Sequence, residues 1–248
     1  MKRLTWVLST AWLWLAGAPD CGLRNADCGM VRALFEVANP QSAIPNPQLS
    51  LLTIGRLHYD GGGDWYGNPS SLPNLLAAIH QRTTLPVAAR EQVVTLSDAE
   101  LWDVPYLYMT GHGNVHFSDA DVKTLRRYLE QGGFLHADDN YGMDKSFRRE
   151  IARVFPDHPL VEVPLTHPIY HLVYDFPRGI PKIHEHDGLP AQGFGVFLGD
   201  RLAVYYSYQS DLGDGWEDPD VHHDPPELHE AALRMGVNLF TYVVSATR

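Results

Sequence analysis

The sequence predicts an α/β fold, a doubly wound and mostly parallel sheet with an antiparallel hairpin at one edge. Two observations carry this. Short apolar strand patterns alternate with helical patterns from Leu51 onward, and alternation of that kind builds a parallel sheet with helices on both faces. Late in the chain two strand patterns are separated only by Gly199-Asp200, a connection suited to a type II′ hairpin.

Each element has its own justification. Leu51 to Tyr59 reads as the first strand. Ser71 to Gln81 is helical, with Leu75, Leu76 and Ile79 on one face and Pro73 tolerable in the first turn. Gln92 to Leu96 and Pro105 to Thr110 are short apolar strands. Ser118 caps the next helix with Asp121 three residues on, and Val122, Leu125 and Leu129 follow at helical spacing. Gly132-Gly133 stops that helix, and Phe134 to Ala137 forms a buried strand. Phe147, Ile151 and Phe155 mark another amphipathic helix. Residues 156 to 193 are rich in Pro and His with little periodicity, which predicts a long ordered excursion with short strands. The hairpin pairs Phe194 to Leu198 with Arg201 to Tyr206, and Glu227 to Val244 closes the chain as a helix.

Ahead of this domain, expected over residues 51–248, lie two other segments. Residues 1–18 read as a signal peptide: Lys2 and Arg3, an apolar run to Leu15, then Ala16-Gly17-Ala18. Residues 19–50 read as a linker and lead-in, rich in Pro, Asn and Ser near its end. The expectation is a periplasmic or secreted protein without a stable membrane span after cleavage. An uncleaved N-terminal anchor is the alternative, since Pro19 disfavours cleavage at the site. Cys21 and Cys28, the only cysteines, form a local disulfide or stay as free thiols.

Composition narrows the partners. With 44% hydrophobic and 20% charged residues over 248 positions, the chain is an ordinary globular protein. A formal charge of -11 argues against nucleic acid, which needs a basic face.

Ligands of open parallel sheets bind outside the carboxyl ends of the strands. Three strand ends here carry unusual residues: Asp60-Gly61-Gly62-Gly63-Asp64-Trp65-Tyr66, Gly111-His112-Gly113-Asn114 and Asp138-Asp139-Asn140-Tyr141. Taken singly, each reads as a turn or a cap; together they predict a site on one sheet edge. Such residues suit a small polar, carbohydrate-like ligand held by Asp60, Asp64, Trp65, Tyr66, His112, Asp138 and Asp139. They equally suit a metal-dependent hydrolase with a divalent metal on Asp138, Asp139 and His112 and with Asp64 as general base. His184-Glu185-His186-Asp187-Gly188 reads as a metal site or an exposed polar turn. The acidic loop from Asp211 to His223 is expected to fold over the sheet edge, with Trp216 walling the site.

Phe117 to Asp121, then Leu125, Tyr128, Leu129 and Gly132-Gly133-Phe134-Leu135-His136-Ala137-Asp138, resembles the nucleophile-elbow segment of class I glutamine amidotransferase-like proteins. Together with Gly61 to Tyr66, Thr110 to Gly113 and His167-Pro168, it makes residues 51 to 245 similar to the bacterial domain of unknown function 4159 family. The resemblance implies a flavodoxin-like sheet and places the nucleophile position near Asp138. No Cys follows Cys28, so the acyl-enzyme route of an amidotransferase is closed. Trehalose-utilisation-type relatives that also lack this cysteine imply, by analogy, a sugar-related role.

Overall fold

A computed structural model describes residues 51–246; the signal-peptide, linker and disulfide expectations fall outside them. Seven strands form one sheet: β1 (Ile54–Leu57), β2 (Gln92–Val94), β3 (Tyr106–Gly111), β4 (Phe134–Asp139), β5 (Val161–Glu162), β6 (Gln192–Leu198) and β7 (Arg201–Tyr208). Their order is β2-β1-β3-β4-β7-β6-β5. The first five run parallel, and β6 and β5 continue the sheet antiparallel. The expected α/β architecture with an antiparallel edge is therefore present. Leu198 pairs with Arg201 across Gly199, whose φ of +63° explains a glycine at the first turn position.

Strand pleating sorts the core into two layers. Tyr106 and Tyr108 of β3 and Phe134 of β4 face α1 (Ser71–Arg82) and the later α6 (Pro226–Ala246), packing with Leu75, Ile79, Met235 and Phe240. Leu107, Met109 and Leu135 face the other way, onto α2 (Asp119–Glu130) and α3 (Asp144–Val154), where Leu125, Leu129, Phe147 and Ile151 meet them. Helices thus cover both faces. Ser118 starts α2 with the reciprocal bonds of a capping box, its amide donating to Asp121 at 2.9 Å.

Two short helices, α4 (Leu212–Trp216) and α5 (Pro219–His222), follow β7 and bend the chain over the carboxyl edge. The aperiodic stretch before β6 is ordered by one buried amide of α6. Asn238 accepts from the backbone of Val173 and Tyr174 at 3.1 and 2.9 Å, and donates to Ile169 and Tyr174 at 3.1 and 2.8 Å. Among the described residues, no helix is long and apolar enough to cross a membrane.

Candidate functional site

Strand order reverses between β1 and β3: the chain leaves β1 for β2 on one side and returns to β3 on the other. A crevice opens at such a switch point. Here Asp64, after β1, meets His112, after β3. Its Oδ1 accepts the His112 backbone N–H, and its Oδ2 lies 3.0 Å from His112 Nδ1. Gly111 makes the approach possible, because a Cβ there would stand 2.4 Å from the Tyr59 hydroxyl and 3.0 Å from Asp64 Oδ1. Burial alone would raise the Asp64 pKa; the His112 amide and ring outweigh it and hold the carboxyl below its ordinary value. Trp65 stacks on His58 with centroids 4.1 Å apart, and Tyr66 meets it edge-on at 5.6 Å. Tyr66 is exposed. Asp60, exposed as well, accepts the His116 amide on its backbone oxygen at 2.7 Å.

Asp138 and Asp139 are not turn residues. Strand β4 runs two residues past its expected end and includes both, so they leave the sheet on opposite faces. Asp138 is fully buried. Its Oδ1 accepts from the Ser207 hydroxyl and the Leu212 amide, and its Oδ2 from the Gly213 amide at 2.6 Å and the Tyr108 hydroxyl at 3.2 Å. Burial nevertheless pushes it up to about 7. Asp139, on the α3 side, accepts from Met143 N at 3.2 Å and Tyr206 OH at 3.1 Å, and burial raises it too. His112 is committed to Asp64. The structure therefore does not assemble Asp138, Asp139 and His112 into one ligand set. Nor does Trp216 wall the crevice: it is buried under α6, with Nε1 donating to Ala232 O at 2.8 Å.

Beneath Asp138 runs a buried relay. The Tyr106 hydroxyl lies 2.9 Å from His136 Nδ1, and His136 Nε2 lies 2.8 Å from Ser207 Oγ, which donates on to Asp138. Burial drives His136 down to about 3, so the ring is neutral at physiological pH.

The densest chemistry gathers beside Asp138, from segments about 30 residues apart. Gly213 and Leu212 bind Asp138, and this anchors α4 so that Asp211 and Asp214 flank the same point. Gly213 is required there, since a Cβ would stand 2.2 Å from Tyr108 OH. Asp214 Oδ2 lies 2.9 Å from His184 Nδ1, and His184 Nε2 lies 3.0 Å from Asp224. His222 Nε2 is 3.0 Å from Glu217 and 3.9 Å from Asp214. His186 Nε2 is 2.5 Å from Asp211 Oδ2, and the Tyr141 ring stacks on His186 at 4.6 Å. Hydrogen bonding to Asp214 pushes His184 up to about 9, and the His184 and His222 partners hold Asp214 low against its burial. Asp211 is driven up to about 8, first by burial and then by the Asp138 and Asp214 charges. Its Oδ1 is buried without a hydrogen-bond partner, as is Asn140 Oδ1. His184, Asp214 and His222 offer ligand atoms within 4.8 Å of one another.

In sequence the two halves of this cluster are a polar turn and an acidic loop. Only the β6–β7 hairpin, folding back between them, brings them together. A Cβ added to Gly142 would stand 3.7 Å from the Gly113 amide, so the turn carrying Tyr141 lies against the His112 loop while the Tyr141 ring stacks on His186.

The family described as "Domain of unknown function (DUF4159)" matches residues 53–244, and the chain belongs to it. No curated protein matches the chain.

Proposed function

We propose, for this member of a family whose description carries no activity, that the carboxyl edge of the sheet binds a small polar, carbohydrate-like molecule. The observation that carries the reading is Tyr141. It sits at the turn from β4 to α3 with a φ of +69° and exposes its ring while stacked on His186. A bulky residue in the left-handed region is strained, and such strain persists where the surroundings over-determine it, often at ligand sites. The exposed Tyr66 ring and the Asp64–His112 pair stand on the same carboxyl edge of the sheet, after β1 and β3. Aromatic faces beside fixed carboxylates and imidazoles supply the apolar stacking and directed acceptors that a polyhydroxylated ligand needs.

Three finer assignments accompany it. The parallel order β2-β1-β3-β4-β7 supports a flavodoxin-like sheet. The left-handed Tyr141 on a strand-to-helix turn supports placement in the class I glutamine amidotransferase-like superfamily, with the elbow at Tyr141 and not Asp138. The basic and apolar first eighteen residues support export.

Isothermal titration against a panel of neutral sugars, amino sugars and polyols tests the binding reading. A hit is expected to weaken at least about tenfold in both Tyr141→Ala and Asp64→Asn, the loss of a stacking or charged contact. A hit indifferent to both substitutions, or a panel without a hit, removes the proposal.

A further inference from the structure

The His–carboxylate cluster sets four carboxylates against three imidazoles. Asp211, Asp214, Glu217 and Asp224 meet His184, His186 and His222, and among the described residues none of these carboxylates pairs with a Lys or Arg. Asp211 adds an independent observation. It is fully buried, its Oδ2 lies 3.9 Å from His184 Nδ1, and its Oδ1 has no partner. Buried polar oxygens are nearly always satisfied, so an exception points to a strained, functional or ligand-contacting group.

We propose that His184 Nδ1, the Asp214 carboxylate and His222 Nε2 bind one divalent transition-metal ion. Bonds of roughly 2.0–2.2 Å to nitrogen and oxygen place the donors of one ion within roughly 4 Å of each other, so atoms already within 4.8 Å need only a small side-chain adjustment. His184 meets the second requirement of a metal-binding imidazole. Its other nitrogen faces Asp224 at 3.0 Å, which fixes the ring and, with the proton on Nε2, turns the Nδ1 lone pair toward the ion and Asp214. Glu217 is held by the Ser70 hydroxyl at 3.1 Å and stands beside His222, where it can join the ligand set or release the ring. Two imidazoles with one carboxylate favour zinc, cobalt or nickel over calcium or magnesium, which prefer all-oxygen shells. Three protein ligands leave a coordination position for water or for a polar group of a bound molecule.

The alternative is a set of protonated histidines paired with carboxylates and no ion. Elemental analysis of the full chain, purified without chelator or affinity metal, separates the two, followed by titration of the stripped protein with zinc and with cobalt. One metal per chain is expected, with a tetrahedral or five-coordinate cobalt absorption band. His184→Ala and His222→Ala are expected to weaken it at least about 100-fold, and Asp224→Asn about 10–100-fold, as for other partners of metal-bound histidines. Asp200→Asn, exposed at the β6–β7 turn on the opposite edge of the sheet, is expected to leave it unchanged. Far-UV circular dichroism shows whether each variant is folded. A folded wild type that takes up neither metal at 100-fold excess overturns the inference, as does binding indifferent to both histidine substitutions. This inference does not rest on the sugar reading: the sugar panel can fail while the metal binds, and the reverse.

Discussion

Asp138 and Asp139 show what a pair of adjacent carboxylates means when it lies in a strand. Read as a turn, they would crowd together, and Asp138→Asn would relieve repulsion and leave stability unchanged or higher. In β4 they part to opposite faces, and Asp138 collects two hydroxyl and two amide donors. An asparagine there presents an NH2 group to donors already aimed at oxygen. Asp138→Asn is therefore expected to cost about 2–3 kcal/mol, the penalty of unsatisfied buried donors, by urea denaturation. Asp139→Asn should cost less, because the amide oxygen still accepts from Met143 or Tyr206. Equal and negligible losses would show that the Asp138 bonds do not hold α4. The residue types of this edge were visible in the sequence, including Asp64, His112 and Tyr66. Their pairing was not, because pleat direction depends on where β4 ends, and nothing in Asp-Asp-Asn-Tyr marks that end.

At the scale of elements, legibility followed periodicity. The α2 start, its Gly132-Gly133 stop and the hairpin turn at Gly199 rest on local chemistry, and each stands where the sequence put it. Residues 163–191 have no such signal because their order comes from elsewhere. Four backbone groups of this excursion bond one buried side chain of α6, Asn238. A helix-face Asn amid apolar neighbours gives no hint of partners some 65 residues away. Asn238→Leu would keep the volume and orphan four backbone groups at once. At about 1–3 kcal/mol for each group that water cannot reach, a loss of at least about 3 kcal/mol is expected. Limited proteolysis should then cut within 165–180 before the rest of the domain. A variant of wild-type stability, protected in that stretch, would mean the excursion is held by its other packing. The same excursion delivers His184 and His186; the run from His184 to Gly188 itself reads as a metal site or a polar turn, but its meeting with Asp214 and Asp211 was illegible for the same reason.

On the scale of the whole molecule, the relay Tyr106–His136–Ser207–Asp138 joins β3, β4, β7 and α4 through the centre of the fold. It gives the domain a defined response to acid. His136 is depressed to about 3 by burial, so the folded protein leaves it neutral while the unfolded chain protonates it below about 6.5. Between those values the unfolded state binds the extra proton. Stability therefore falls as pH falls through that window, by up to about 1.4 kcal/mol per pH unit from this group. Asp138 and Asp211, raised to about 7 and about 8, act in the opposite sense. The folded state keeps their protons where the unfolded state has lost them, above about pH 4, so the two together more than offset the His136 contribution in that window. The test is thus a difference. His136→Gln preserves a donor toward Ser207 and an acceptor for Tyr106 without a titrating ring. The slope of unfolding free energy against pH from 4 to 6.5 is expected to be lower in the variant than in the wild type by close to one proton's worth. Parallel profiles would mean that His136 takes up its proton in the folded state, and that the relay reaches solvent.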